Sequence, residues 1–361
     1  MKKNWQKILF IFSLTLFCFL VGRFDSSFYQ QPVGEVLSSK TVSSDQSTDE
    51  HGNQDESHSQ KLKVKLLNRN EKVVSIENRY LDSKAESERY QKYDQILLNH
   101  RNKQYQIDMP KRDSLLFALL GLLASGLYLS MSKKKFSFLF LSLLVNAGLF
   151  LAVIIWDASA RSLPVLAVFA VLAVLLSALA LYFVLGHGKQ ALITWLATCL
   201  STMLALFVMA VVIFLTGAKG VHFETMSYVT QVPEPIFYAQ AVIGVLGAVM
   251  DESGDIVAGL FGLHREHADR AWSEYWTSGL SVGREILGTL TNVLFMIFIA
   301  ETLPMVILML QNGNTWSYIL DQTMNLGILQ TVVSALGIVW SVPVTAFLTA
   351  SILTKRKGAK A

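Results

Sequence analysis

Long apolar runs, separated by short polar loops, occupy the chain from residue 114 almost to its end. An apolar run of about 18 or more residues is typical of a helix that spans a membrane. A shorter apolar run, 8–22, follows a basic start and precedes a long polar region. The pattern predicts a mainly α, polytopic membrane protein with a polar domain near its N-terminus.

We expect about eight transmembrane helices, the N-terminal one and seven that form a bundle over residues 114–354. The predicted spans of the bundle are 114–131, 136–156, 163–185, 191–216, 235–250, 282–310 and 326–353. A basic tail, 355–361, follows them. Only 16% of the residues are charged, whereas a soluble chain carries about a quarter, so the composition supports a membrane protein.

The first 60 residues predict an anchor and then a linker. No small-x-small cleavage site follows the apolar run, so residues 1–23 are expected to stay attached as a signal anchor. Residues 24–60 are rich in Ser, Asp, Gln and Glu, which predicts a flexible linker. His51 and His58 lie there, and we expect them to be solvated rather than bound to a metal.

Residues 61–113 predict a small extracytoplasmic β-rich domain. Leu62, Val64 and Leu66 alternate with lysines, as in a half-buried strand. Further strand candidates are 72–80, 94–99 and 104–109, which suggests a small barrel or sandwich. The excess of Lys and Arg suits either a surface that binds anionic lipid or cell-wall polymer, or simply a solvated face.

The basic residues predict the topology. Strict alternation of the spans places 14 Lys and Arg on one side and only Arg161 and Lys219 in the opposite short loops. Basic residues concentrate on the cytoplasmic side of membrane proteins. We therefore expect a multi-pass protein of the cell membrane with both termini in the cytoplasm and residues 24–113 outside.

Few chemical motifs accompany this architecture. The sequence contains neither a GxxxxGK[ST] phosphate loop nor an HExxH motif, so we expect no enzyme, no catalytic residue and no cofactor. His264, His267 and Asp269 have ligand-like spacing, but a solvated loop over 264–278 explains them, and no metal is expected. Cys18 and Cys199 both lie in apolar runs, which argues against a disulfide.

The fifth span of the bundle ends in an unusual acidic segment. Gly244, Gly247, Asp251 and Asp255 recur at three- and four-residue spacing and share one helix face. Carboxylates at membrane depth are costly and are usually functional, which makes Asp251 a candidate for ion coupling. Alternatively, the helix ends near Met250 and the acids are solvated.

The next span combines small and polar residues. Gly279 and Gly283 form a GxxxG pair of the kind that allows close helix contact. Arg284 is a candidate partner for Asp251 or Glu285. The remaining candidates are Gly288, Asn292 and Glu301 on this span and Pro343 on the last one.

These segments resemble the YibE/F family of multi-pass bacterial membrane proteins. Residues 247–251 read GAVMD, 283–289 read GREILGT and 342–346 read VPVTA, in the family's order. The resemblance implies a YibE-like layout, with an N-terminal extracytoplasmic domain before the bundle. It also implies a homo-oligomer or a hetero-oligomer with a YibF-like membrane protein.

Two functions are compatible with these features. The first is a secondary transporter or export-associated component that uses Asp251 for proton coupling. The second is a non-enzymatic scaffold whose extracytoplasmic domain binds a cell-envelope component or a partner protein. In both cases the lipid bilayer is the surrounding medium, and nothing indicates nucleic acid.

Overall fold

The computed structural model describes residues 2–48, 52, 54–69, 72–84, 88–101, 104–160, 164–225 and 233–354. These form two compact units, 1–136 and 137–361. The first contains α1 (Lys2–Arg23), β1 (Val33–Thr48), β2 (Gln54–Leu66), β3 (Val73–Leu81), β4 (Gln95–Arg101), β5 (Gln104–Pro110) and α2 (Asp113–Ser130). From α3 (Lys133–Ala160) onward follow α4 (Val165–Leu185), α5 (Lys189–Thr216), α6 (Pro233–Glu266), α7 (Trp272–Gln311), α8 (Trp316–Ile319) and α9 (Asn325–Thr354).

The β-rich domain is one antiparallel sheet of five strands in the order β3-β2-β1-β4-β5. The four strands predicted from residue 61 onward are confirmed. The described residues form this single sheet instead of the two sheets of a sandwich. Its apolar core includes Val36, Leu62, Val64, Ile96 and Leu98, because alternate residues of each strand point to the same side.

The linker predicted for residues 24–60 is wrong. β1 and β2 pair from Gly34↔Leu66 to Thr48↔Gln54, with two shifts of register on β1 between Val36 and Ser43. The polar composition of residues 24–60 is misleading, because low hydrophobicity indicates that few side chains are buried but does not exclude backbone pairing between strands. The polar interior side chains instead bond to one another: Asn78 Nδ2 donates to Gln60 Oε1 at 3.2 Å and to the Glu88 carbonyl oxygen at 2.9 Å.

The end of α1 and the start of α2 are tied together by a buried lysine. Lys111 is 7% exposed, donates to the last-turn carbonyl oxygen of Gly22, and lies 2.7 Å from Asp25 Oδ1. A cation near a helix C-terminus satisfies free carbonyl groups and interacts favourably with the helix dipole. Cys18 of α1 faces Gly121 of α2, where an added Cβ would lie 2.9 Å from the sulfur atom.

Seven described helices are long and apolar enough to cross a membrane: α1 to α5, α7, and the stretch from α8 through α9. By length and composition these helices are typical of a multi-pass membrane protein, and the second unit is mainly helical. α6 is not among the seven. The total of eight spans stays a prediction.

α6 is much longer than the predicted span 235–250. It runs unbroken for 34 residues through the acidic segment, so the alternative that the helix ends near Met250 is wrong. The solvated loop expected over 264–278 shrinks to a short turn before α7. Tyr275 stabilises that turn, because its hydroxyl donates to the His267 carbonyl oxygen at 3.1 Å and contacts His264 Nδ1 at 2.7 Å.

α9 packs closely against α7 at two glycines. A Cβ at Gly279 would lie 2.8 Å from the Ala346 Cβ, and one at Gly283 would lie 2.5 Å from Val342 Cγ1. Pro343 lies inside α9, which continues to Thr354. Small residues at such crossings let two helix backbones approach each other in lipid.

We predict opposite effects of the same substitution at two glycines of α7. Gly283→Ala should lower the stability of the purified protein in detergent by about 1–3 kcal/mol, because the added methyl group overlaps Val342. Gly288→Ala, whose Cβ would have no neighbour within 4 Å, should be neutral or stabilising by up to about 1 kcal/mol. Thermal unfolding followed by circular dichroism measures both, and equal effects would contradict the described packing.

Candidate functional site

The buried face of α6 carries one acidic side chain. Val245, Val249, Glu252, Ile256 and Leu260 recur at three- and four-residue spacing and are all buried, so they form one stripe along the helix. Glu252 has no exposed surface. The packing of this stripe against neighbouring helices takes the carboxyl group into the interior of the bundle.

Glu252 lies between two apolar clusters. Val249, one turn before it, belongs to a cluster with Ala205 of α5 and Val333 of α9. Ile256, one turn after it, belongs to a second cluster that includes Val342 of α9. The acid is thus flanked on both sides by well-packed apolar residues, which separate it from the ends of the bundle.

Buried hydroxyl groups are carried by α5, α6 and α9, the helices that pack against one another here. Thr345 Oγ1 of α9 donates to Ser253 Oγ of α6 at 3.1 Å, and an added Cβ at Gly254 would lie 4.0 Å from the Thr194 methyl group of α5. We call the whole set the polar layer. Its members, all at most 4% exposed, are Thr194, Thr198, Ser201, Thr202, Glu252, Ser253, Ser341, Thr345 and Thr349.

The hydrogen bonding of the polar layer is incomplete. Thr198 and Thr349 each donate to the carbonyl oxygen four residues earlier, at 2.8 and 2.7 Å. Neither carboxyl oxygen of Glu252, nor the hydroxyl groups of Ser201 and Thr202, has a hydrogen-bond partner among the described residues. A buried polar group without a partner costs free energy, so the layer is built for something other than stability.

The acids predicted from the sequence lie elsewhere on α6. Asp251 and Asp255 are exposed on the surface of the chain, because each comes one residue before a member of the buried stripe and is therefore turned away from it. Among the described residues no ion pair joins Asp251 to Arg284. The other polar candidates, all on α7, are exposed as well: Arg284, Glu285, Asn292 and Glu301.

The predicted small residues differ in their surroundings. Gly244 faces Gln330 of α9, whose Nε2 would lie 3.0 Å from an added Cβ. Gly247 and Gly288 have open space at that position. The sequence reasoning missed Gly337, where a Cβ would lie 2.7 Å from Val245 and 2.9 Å from Val249. This glycine brings α9 against the stripe that carries Glu252.

Comparisons with known proteins agree with this architecture. Residues 119–355 match the family model described as YibE/F-like protein. The chain belongs to the YibE/F family. Residues 27–109 match the model of the YibE/F family N-terminal domain, so the sheet and the bundle are both parts of the family layout. Searches of curated proteins and of solved structures found no match to the chain.

The buried acid of the bundle is Glu252, which the sequence analysis did not select. The signal was present, since the apolar periodicity of α6 continues past Met250 to Ile256 and Leu260. Extending that stripe places Glu252 on the core side and Asp251 beside it. The predicted span ended at residue 250, so the continuation of the apolar stripe beyond it was not considered.

We predict that removing the Glu252 carboxyl stabilises the protein. Glu252→Leu should raise the free energy of unfolding in detergent by about 1–3 kcal/mol, because it removes two buried oxygens that lack partners. As a control, Ser253→Ala should lower it by about 0.6 kcal/mol, since it deletes the bond from Thr345. A Glu252→Leu protein less stable than Ser253→Ala would show that the carboxyl group is well bonded.

Proposed function

We propose that this chain is a proton-coupled secondary transporter or export-associated component, and that Glu252 is its coupling residue. The observation that carries the proposal is the fully buried Glu252 carboxyl, which has no partner among the described residues and lies in a layer of hydroxyl groups. Ionisable groups inside membrane helix bundles are rare and mark ion pathways.

The polar layer supplies the chemistry that proton coupling needs. A carboxyl group between apolar clusters is stable when neutral, so taking up or losing a proton changes its interaction with the whole bundle. Ser and Thr hydroxyl groups both donate and accept hydrogen bonds, so we propose that the buried hydroxyl groups of α5 and α9 relay protons to and from the acid. A change in the packing of α5, α6 and α9 is then linked to protonation.

We further propose the topology that the loop charges predict, with α6 as the eighth span and both termini in the cytoplasm. The turn 267–271 between α6 and α7 then lies in the cytoplasm. In a background without Cys18 and Cys199, we expect a cysteine at His267 to resist a membrane-impermeant maleimide in intact cells and to react after permeabilisation. Reaction in intact cells would refute this topology.

Proton flux tests the proposed function directly. Purified protein is placed in proteoliposomes that contain a pH-sensitive dye, and flux is driven by an imposed membrane potential. We expect wild-type flux to fall to the background of protein-free vesicles in Glu252→Gln, which keeps the shape but cannot release a proton. Asp251→Asn and Asp255→Asn, matched changes at exposed positions of the same helix, should retain most of the flux.

Two outcomes would overturn the assignment. Glu252→Gln flux equal to wild type would exclude Glu252, provided that both proteins are inserted in equal amounts. Loss of flux in Asp251→Asn alone would favour the exposed acid instead. Flux driven equally by a sodium gradient at constant pH would identify a sodium-coupled site.

The alternative function is a scaffold whose sheet binds an anionic envelope component. A groove of about 1460 Å³ lies between the edge strands β3 and β5. It is lined by four basic residues, Lys61, Arg79, Lys84 and Arg112, and by three acidic ones, Glu77, Glu88 and Asp108. Arg112 donates to the Glu88 carboxylate and lowers its pKa. A scaffold requires no ion movement, so a wild-type protein that gives no flux but binds a polyanion through this groove would favour it.

A further inference from the structure

The interior face of β2 changes from apolar to polar along the strand. Leu62, Val64 and Leu66 point into the core of the sheet, and Gln60, two residues earlier on the same side, is 1% exposed. Alternation continues this side to His58 and Glu56. A histidine and a carboxylate therefore lie on the face of the sheet that is lined by core residues further along the strand.

The strand register brings a second carboxylate to the same place. His58 is paired with Tyr80 across β2 and β3, and the amide of Asp82 donates to the Glu56 carbonyl oxygen at 3.1 Å. Asp82 thus lies directly opposite Glu56. Like charges at opposite positions of an antiparallel pair repel each other, so this arrangement favours a bound cation.

The His58 ring is held in position between these carboxylates. Its Nε2 lies 3.0 Å from Asp82 Oδ1, and its ring stacks on Tyr80 with centroids 4.8 Å apart. The His58 side chain is only 14% exposed. The Ser44 hydroxyl donates to the Glu56 carboxylate, which orients that group as well.

We propose that Glu56, His58 and Asp82 form a binding site for a divalent transition metal, Zn²⁺ in particular. One ligand atom from each lies within 4.8 Å of the others. Ligands about 2.1 Å from a tetrahedral ion are about 3.4 Å apart, so side-chain rotation must close the widest pair by only about 1.4 Å. The neutral imidazole binds the ion through the Nε2 lone pair, with its proton on Nδ1, so the ion lies between nitrogen and carboxylate and water completes the coordination.

The ligand types select the class of metal. Zn²⁺ combines imidazole nitrogen with carboxylate oxygen, whereas Ca²⁺ and Mg²⁺ prefer oxygen ligands throughout. The site lies in the first unit and includes none of the residues proposed for proton coupling. An ion bound here would link β2 to the end of β3 in the part of the sheet that the apolar core does not cover.

Zn²⁺ titration of the tag-free full-length protein in detergent, followed by isothermal calorimetry, tests the site. We expect wild type to bind Zn²⁺ at this site, and His58→Ala to lose about 100-fold or more in affinity, because deleting a ligand costs at least as much as deleting its supporting partner. Asp82→Asn should lose about tenfold. His100→Ala is the matched control, since His100 lies on the same sheet against Tyr105 and should bind as wild type does.

The proposal fails if wild type, His58→Ala and Asp82→Asn bind Zn²⁺ equally, or if wild type binds none. It also fails if Ca²⁺ displaces Zn²⁺ at equal concentration, because an all-oxygen site would then be present. Circular dichroism of each variant checks the fold. Should His58→Ala unfold the sheet, Asp82→Asn decides the matter, since the Asp82 side chain is 64% exposed and its replacement has nearly the same shape.

Discussion

Close packing of α9 against its neighbours is the constraint on which the bundle depends. Lipid offers no hydrophobic driving force between helices, so their association relies on shape and on small residues. Gly337 meets Val245 and Val249 of α6, while Gly279 and Gly283 of α7 meet α9 at Ala346 and Val342. These contacts fix α9 along both helices and thereby bury the polar layer, whose own hydrogen bonds are too few to hold it there.

Burial of Glu252 follows from helix phase and not from any bond that the acid makes. Successive residues of a helix point about 100° apart, so Asp251 is turned out of the bundle while Glu252 is turned into it. The same packing that excludes water from Val249 and Ile256 also removes water from the carboxyl group between them. Packing energy therefore sustains an unfavourable polar group, which is a common feature of functional sites.

The sequence predicts a helix or strand well when one face of that element is apolar and the other is polar. Strand β2 was found because lysines alternate with Leu62, Val64 and Leu66, and the spans of α2 and α4 agree to within about two residues. Inside a membrane this contrast disappears, since lipid-facing and core-facing residues are both apolar. Along α6 the contrast is weak up to Met250, and only the continuation of the stripe to Ile256 and Leu260 identifies Glu252, and not Asp251, as the buried acid.

The hairpin of β1 and β2 was missed for the opposite reason, because much of it is polar on both faces. The apolar core covers only the half of β2 around Leu62 to Leu66, yet both strands continue to Thr48↔Gln54. Beyond Ser57 the sheet has only the two strands β1 and β2 here. Such a ribbon without an apolar face is marginally stable in water, so backbone pairing alone is a weak reason for this end of the extension. An ion that binds the folded arrangement of Glu56, His58 and Asp82 stabilises it by an amount that grows with the ion's concentration. Residues that look like a linker by composition thus become the part of the sheet with the most specific chemistry.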